Sequence, residues 1–251
     1  MNTIKLNTIG ILSGGGNAGG GGGGVTINNQ EKSVDITENG TIEVVADAGF
    51  TGLGKITINV NVPTGTPTYE NGVYVQHIDS KLYTTDEWTA KGFANEDANG
   101  VAVIANEASF VCNFRNLSYG TLQWLGTPAL IEGIAQAATV NDAVLDFQGL
   151  NNTQLMIAAG SSAATTAAGY TSPNGKQGYL PSLGEWSIYG DNLEDIIVAM
   201  TAIGLNAITS DYYLSSTQKN ASDCWQYGAK YGKKEAYGKT SWQRVAAFFP
   251  L

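Results

Sequence analysis

The sequence predicts an α+β fold in which two helices lie among short strands of irregular β structure. Strand pairs are predicted at 72–76 and 81–84, joined by a turn at 77–80, and at 101–105 and 109–114. Charged residues make up only 14% of the 251 residues, and glycine contributes 32 of them. That composition is typical of a chain rich in strands and turns rather than of a helical protein.

Two segments carry helix signals. The first helix is predicted from an N-cap at Asn152 to a C-cap at Gly160. The second begins with Asp191 and Glu194 at the spacing of a capping box and ends at Gly204. Its apolar face, spaced for one side of a helix, is formed by Leu193, Ile196, Ile197 and Met200.

Composition divides the chain into three predicted domains. Residues 1–24 form a glycine-rich segment, which we interpret as a flexible spacer or, alternatively, as closely packed backbone near an oligomer axis, where only residues without Cβ fit. In residues 25–65, segments of alternating apolar and polar residues lie on either side of an Asn39-Gly40 turn, as expected of a small β module. Residues 66–251 follow a proline-bounded linker and hold the main domain.

Charge and hydropathy exclude two classes of function. A net charge of −9 argues against general nucleic-acid binding, because phosphates would be repelled. No apolar run approaches ~20 residues, so we predict no membrane insertion. The N-terminus lacks the pattern of a signal peptide. We therefore expect synthesis in a host cytoplasm and release in another way, such as assembly into a virion.

The C-terminal segment differs in charge from the rest of the chain. Residues 1–210 hold 7 Lys/Arg against 19 Asp/Glu, whereas residues 211–251 hold 6 against 3. The same last segment contains 9 of the 24 aromatic residues. A basic, aromatic-rich segment on an acidic chain indicates that residues 211–251 have a different function from the rest of the chain.

Catalytic and metal-binding patterns are weak. The single histidine, His77, is predicted to be a solvated turn residue, and without a second histidine a His-centred metal site or a Ser-His-Asp triad is not expected. Cys112 and Cys224 are interpreted as buried thiols, with one disulfide left open. We predict no enzyme and no cofactor. A group of acidic residues is assigned to helix capping and solvation, with a calcium ion left open: Glu185, Asp191, Glu194 and Asp195.

Three blocks in the last third of the chain carry a resemblance to a known family. They are GYLPSLGEW at 178–186, YLSSTQ at 213–218 and RVAAF at 244–248. They resemble the G-[YW]-L-P-x-x-x-E-W, Y-W-S-S-T-Q and R-V-R-A-F blocks of the variable proteins of diversity-generating retroelements, in particular phage tropism determinants. Leu214 stands where Trp is common in the family, and Ala246 stands where it has a second Arg. The resemblance covers about residues 70–251.

This resemblance implies a C-type-lectin-like domain whose variable region, about 211–243, presents a ligand-binding face. The Tyr, Trp, Ser, Gly and Lys content of that region agrees, because such a mixture gives binding surfaces rigid aromatic anchors and adaptable hydrogen bonds. The residues expected to bind ligand are Asp211, Tyr213, Lys219, Asp223, Gln226, Tyr227, Lys230, Tyr231, Lys233, Glu235, Tyr237, Thr240 and Trp242.

The flanking residues predict which aromatic side chains are buried. Those within the framework blocks or next to them are expected to be buried, namely Tyr212, Trp225 and Phe248. Those among Lys, Gly and Gln are expected to be exposed, namely Tyr227, Tyr231, Tyr237 and Trp242. We further expect acidic groups of the ligand to meet Lys219, Lys230, Lys233, Lys234 and Lys239.

The expected function is receptor binding at a phage tail tip. The ligand would be a bacterial cell-surface protein or glycan, and the N-terminal segment would attach to other tail or fibre proteins, because DITENGTIEVVADAGFTGLGKITINVNVP resembles a β module of phage tail proteins. A homotrimer is expected from the symmetry of fibres. The alternatives are a cellular adhesin diversified in the same way, an enzyme of the formylglycine-generating type and a calcium-dependent sugar-binding protein.

Overall fold

The structure, a computed structural model, describes residues 3–6, 32–35, 69–115 and 121–251. The chain divides into two units, Met1–Thr64 and Gly65–Leu251. In the first unit, β1 (Thr3–Leu6) pairs antiparallel with β2 (Lys32–Asp35). The glycine-rich run and most of the predicted β module lie outside the described residues.

The second unit combines ten strands and six α-helices in its described residues. The strands are β3 (Gly72–His77), β4 (Leu82–Tyr83), β5 (Ala98–Ile104), β6 (Ser109–Cys112), β7 (Thr121–Gln123), β8 (Tyr212–Gln218), β9 (Asp223–Gly228), β10 (Lys233–Gly238), β11 (Trp242–Arg244) and β12 (Phe248–Pro250). The helices are α1 (Thr85–Lys91), α2 (Val140–Ala143), α3 (Gly149–Ala158), α4 (Ser162–Gly169), α5 (Leu183–Asp191) and α6 (Leu193–Ala202), and a 3-10 turn lies at Asn95–Asp97. The predicted α+β class is confirmed.

The strands form two five-stranded sheets. The first sheet has the order β12-β6-β5-β3-β4 and is antiparallel throughout. It contains both strand pairs predicted from the sequence. The second sheet has the order β10-β9-β8-β11-β7 and is mixed, because β11 runs parallel to β8 where Arg244 pairs with Tyr213. The last 40 residues therefore supply four strands of the second sheet and an edge strand of the first.

The described residues form six α-helices, more than the two predicted from the sequence. The α1 helix starts at a capping box between Thr84 and Glu87, and α5 starts at another between Ser182 and Glu185. Both boxes have the Ser/Thr-x-x-Glu pattern, which is the signal that the sequence prediction missed.

The predicted helix boundaries also need correction. Asp191 does not cap a helix, because it is the last residue of α5, and α6 begins after Asn192. Gly204 follows α6 in the left-handed region, with φ of 69°, so the predicted end of that helix is confirmed. The α3 helix begins at Gly149 rather than after Asn152, whose amide donates to Asp146 Oδ2 at 2.9 Å.

Two buried clusters form the core. The first contains Trp186, Tyr189 and Phe248, and the second contains Trp124, Met156 and Leu180. Cys112 and Cys224 are buried free thiols, as predicted. Across the ranges that the structure describes, no helix has the length and apolar character needed to cross a bilayer.

Candidate ligand-binding surface

The first framework block fixes a buried carboxylate. Glu185 accepts hydrogen bonds from the Ser182 main-chain N–H at 2.7 Å, the Ser182 hydroxyl at 2.9 Å and the Tyr179 hydroxyl at 2.9 Å. Burial raises the pKa of Glu185 to about 7, against the lowering effect of these hydrogen bonds, and the charge of Asp146 raises it further. A Cβ at Gly149 would overlap the Glu185 carboxylate, which explains the glycine there.

Trp186 of the same block joins α5 to the second sheet. Its indole N–H donates to the Leu214 carbonyl at 3.2 Å. Its ring stacks on Tyr227, with ring centroids 5.2 Å apart and an angle of 8° between the planes, and lies 5.7 Å from Tyr213. Because these residues belong to β8 and β9, the indole positions the first two strands of the segment 211–243.

The second block, on β8, connects to the first through polar side chains. The Thr217 hydroxyl donates to Asp146 Oδ2 at 2.7 Å and accepts the Leu183 N–H at 2.9 Å. Gln218 Oε1 accepts the Ile131 N–H at 2.8 Å. The strand is thus anchored at its C-terminal end by side chains rather than by sheet pairing alone.

Three of the thirteen predicted ligand-binding residues are buried. Tyr213, Gln226 and Tyr227 are 5%, 6% and 1% exposed. The prediction that Tyr227 is exposed was wrong, because Tyr227 and Tyr213 are paired across β9 and β8 and both rings contact Trp186. These residues belong to the framework rather than to a free surface.

The other ten predicted residues reach solvent to different degrees. The half-buried ones are Lys219, Asp223, Glu235 and Tyr237, and the exposed ones are Asp211, Lys230, Tyr231, Lys233, Thr240 and Trp242. Trp225 and Phe248 are buried as predicted, whereas Tyr212 is only half-buried.

One side of β9 and β10 gathers several predicted residues. Lys233, Glu235 and Tyr237 alternate along β10 and so share a side of the sheet. Gln226 pairs with Glu235 across the strands, and Gln226 Oε1 accepts a hydrogen bond from Gln243 Nε2 at 3.0 Å. We call this set, Gln226, Lys233, Glu235, Tyr237 and Gln243, the strand face. Gln243 was missed in the prediction, although its position between the predicted binding residue Trp242 and the framework residue Arg244 on β11 was a signal.

Two aromatic side chains are conspicuously exposed. Tyr231 is 71% and Trp242 is 61% exposed. Lys230 Nζ lies 5.1 Å from the Tyr231 ring centroid, and the Tyr237 hydroxyl donates to the Trp242 carbonyl at 3.0 Å. Tyr237 therefore connects Trp242 to the strand face, and Tyr231 lies in the turn between β9 and β10.

Asp211 contributes to the framework of the sheet. Its backbone is left-handed, with φ of 67°, and its carbonyl accepts the Ala229 N–H at 2.9 Å. Its carboxylate lies 3.5 Å from Arg244 Nη2. These contacts connect the start of β8, the end of β9 and β11, so Asp211 is already engaged within the chain.

The lysine prediction needs one correction. Lys239 is fully buried. Its ammonium donates to the Ala129 carbonyl at 2.6 Å and to Gln218 Oε1 at 2.7 Å, and it lies 4.4 Å from the Trp124 ring centroid. Burial lowers its pKa to about 8. Lys239 is therefore a framework residue and cannot meet a ligand from its buried position.

The histidine prediction was also wrong. The His77 side chain is only 19% exposed, and its ring lies 5.0 Å from Phe93 and 6.1 Å from Trp88, centroid to centroid. It accepts the Asp79 N–H at Nδ1 and so closes the β3–β4 turn. Throughout the described ranges, no group of three or more His, Cys, Asp or Glu side chains is arranged to hold a metal ion.

The raised pKa of Glu185 predicts a pH-dependent stability. Its ordinary pKa is 4.5 and its pKa in the fold is about 7, so the folded chain holds the proton more tightly than the unfolded chain. Stability should therefore be greatest below pH ~4.5 and fall as pH rises towards 7, by at most about 3 kcal/mol. Glu185→Gln should remove this dependence, as measured by urea unfolding at pH 5 and pH 8.

Glu87→Gln is the matched control, because Glu87 occupies the same capping-box position in α1. The Thr84 hydrogen bonds lower the pKa of Glu87, so its contribution to stability should be lost as pH falls, which is the opposite sign. If the free energies of unfolding of the wild type and of Glu185→Gln change equally between pH 5 and pH 8, the pH dependence does not come from Glu185.

Comparison with known proteins gives one structural likeness. No family model matches the chain, and no curated protein matches it. A crystal structure of a fimbrial protein from Bacteroides ovatus is similar at 14% sequence identity, with a TM-score of 0.47. The match covers 73% of this chain and 49% of that one, so the chain spans about half the length of the structure it matches.

Proposed function

We propose that the chain is a phage receptor-binding protein, an adhesin with a C-type-lectin-like domain that binds a bacterial surface protein or glycan through the region 211–243. One observation carries the proposal. Tyr231 and Trp242 expose most of their surface, although they lie between framework blocks whose own aromatic residues are buried. Large exposed aromatic side chains of this kind are the usual anchors of a binding interface.

The contacts among the three blocks support the C-type-lectin-like assignment. Trp186 of the first block contacts Leu214 of the second and Phe248 of the third. The main chains of Tyr179 and Phe248 also exchange hydrogen bonds of 2.8 and 3.0 Å. Blocks that are distant in sequence thus share one framework, as expected if the family resemblance extends to the fold.

The proposed mechanism is recognition without turnover. Tyr231 and Trp242 would pack against the ligand, while Lys230 and Lys233 supply positive charge beside them. Lys233 lies 3.5 Å from Glu235, so part of that charge is balanced within the strand face. Weak individual sites would gain from display in many copies on a fibre.

The proposal extends to location and assembly. The chain would lie at the tip of a phage tail, with residues 1–65 attached to other tail or fibre proteins. We propose a homotrimer, because fibres impose cyclic symmetry on the proteins that end them.

The alternatives differ in observable ways. The phage protein and a cellular adhesin diversified in the same way would both have a neighbouring reverse-transcriptase gene. The cellular adhesin, however, would be encoded outside a prophage. An enzyme of the formylglycine-generating type needs a reactive thiol. Cys112 and Cys224 are both buried, and burial raises the pKa of each thiol above its ordinary value, which disfavours that alternative.

Binding should depend on the exposed aromatic residues and not on exposed apolar surface in general. We expect Trp242→Ala and Tyr231→Ala each to weaken binding of the full chain to host bacterial cells by about 30-fold, or ~2 kcal/mol. Their melting temperatures should stay within ~2 °C of the wild type, because surface substitutions change stability little. Binding of fluorescently labelled protein to cells measures the effect.

Leu145→Ala is the control, because Leu145 is 72% exposed and lies outside the proposed surface. It should leave binding unchanged. Equal losses for Leu145→Ala and Trp242→Ala, or wild-type binding by both aromatic variants, would overturn the proposed surface.

A further inference from the structure

An exposed loop lies beside the turn between β10 and β11, which contains Thr240 and leads into Trp242. The loop, GTPAL at 126–130, follows β7, and all five of its residues are exposed. The β7 strand pairs with β11 so that Gln123 lies opposite Trp242. Gln123 Nε2 also donates to the Thr240 carbonyl at 2.5 Å. The chain that leaves β7 therefore continues next to this turn.

Both ends of the loop 126–130 are fixed by hydrogen bonds. At its start, the Leu125 N–H donates to the Lys239 carbonyl at 3.0 Å. At its end, the Ala129 carbonyl accepts a hydrogen bond from Lys239 Nζ at 2.6 Å. The next residue after the loop, Ile131, donates its N–H to Gln218 Oε1 at 2.8 Å. The loop is thus exposed on its outer side and bonded on its inner side to the β10–β11 turn.

The buried ammonium of Lys239 is what joins the loop to the turn. Burying a charged group is costly unless its hydrogen bonds are satisfied. Here the ammonium donates to the Ala129 carbonyl and to Gln218 Oε1, and it lies 4.4 Å from the Trp124 ring centroid. The loop is therefore ordered before any ligand binds, and a loop that is already ordered loses less entropy on binding.

The composition of the loop suits a binding surface. It contains no charged side chain, and Leu130 is 49% exposed. The centres of protein interfaces are depleted in charged residues in the same way. We infer that the loop 126–130 forms a second part of the receptor-binding surface, outside the region 211–243, and that Leu130 contacts the receptor together with Trp242. This inference rests on the proposed function and adds a contact residue that none of the three blocks contains.

The test measures binding of the full chain to host bacterial cells. Leu130→Ala should weaken binding about fivefold, and Leu130→Glu should weaken it further because it places a charge in an apolar contact. The melting temperatures of both variants should stay within ~2 °C of the wild type, because Leu130 is a surface residue. Leu150→Ala and Leu150→Glu are the matched controls, since Leu150 is 44% exposed and lies on α3. They should leave binding unchanged.

The outcomes separate this inference from the proposed function. If both Leu130 variants bind as the wild type does while Trp242→Ala loses binding, the role of the loop is overturned and the proposed surface stands. If Trp242→Ala and Tyr231→Ala also bind as the wild type does, the proposed surface is overturned together with the loop. Equal losses for Leu130→Glu and Leu150→Glu would show that binding responds to added negative charge in general, and would also overturn the role of the loop.

Discussion

Trp186→Ala should lower the free energy of unfolding by about 3–5 kcal/mol, the usual cost of removing a large buried aromatic side chain. The side chain is fully buried, stacks on Tyr227 and packs at 4.8 Å from Phe248, centroid to centroid. Its loss would also leave the Leu214 carbonyl without the indole donor. Urea unfolding monitored by circular dichroism measures the change.

Trp186→Phe separates these two contributions. Phenylalanine retains most of the packing and lacks the N–H donor, so the loss should be smaller, about 1–2 kcal/mol. Trp242→Ala is the matched control, because Trp242 is an exposed tryptophan in the same unit. A Trp186→Ala variant as stable as Trp242→Ala would show that α5 does not hold the second sheet in the way described.

Strands were easier to predict than helices in this chain. Residues 72–84 and 101–114 are rich in Val, Ile, Tyr and Phe, which are common in strands, and the pairs β3–β4 and β5–β6 form as predicted. The α4 helix, by contrast, is a run of Ser, Ala and Thr ending in Gly169, which has no strong apolar periodicity. It is helical in the fold because Ala163, Ala164 and Ala167 are buried in the second core cluster, and such tertiary contacts are not visible in the local sequence.

The burial of the polar side chains that stabilise the framework could not be predicted from the sequence either. Lys239 lies among glycine, threonine and serine and has the neighbours of a surface residue. It is buried because Gln218 and the Ala129 carbonyl, 21 and 110 residues away, accept hydrogen bonds from its ammonium. Glu185 was predicted only as one of four acidic residues explained by helix capping and solvation, whereas in the structure it is buried, accepts a hydrogen bond from Tyr179 and lies against Gly149.

The candidate surface could be predicted only in part from the sequence. Neighbouring Gly and Lys residues correctly indicated exposure of Tyr231, which lies in a turn, and of Trp242. The same neighbours misled at Tyr227, because on a strand the side of the sheet decides burial, not the adjacent residues. Tyr227 faces α5, where its ring stacks on that of Trp186.

Tyr227→Ala should therefore act on the fold rather than on binding. Tyr227 is 1% exposed and its ring is parallel to that of Trp186, so its removal leaves a cavity between α5 and β9. We expect a loss of about 3–4 kcal/mol in the free energy of unfolding. Tyr231→Ala, four residues along in the turn, should change stability by less than ~0.5 kcal/mol.

The two variants are compared by urea unfolding, and then by binding to cells at a temperature where both variants are folded. There Tyr227→Ala should retain binding while Tyr231→Ala loses it. If instead Tyr227→Ala is stable and fails to bind, or Tyr231→Ala unfolds, the assignment of framework and binding residues described here is reversed.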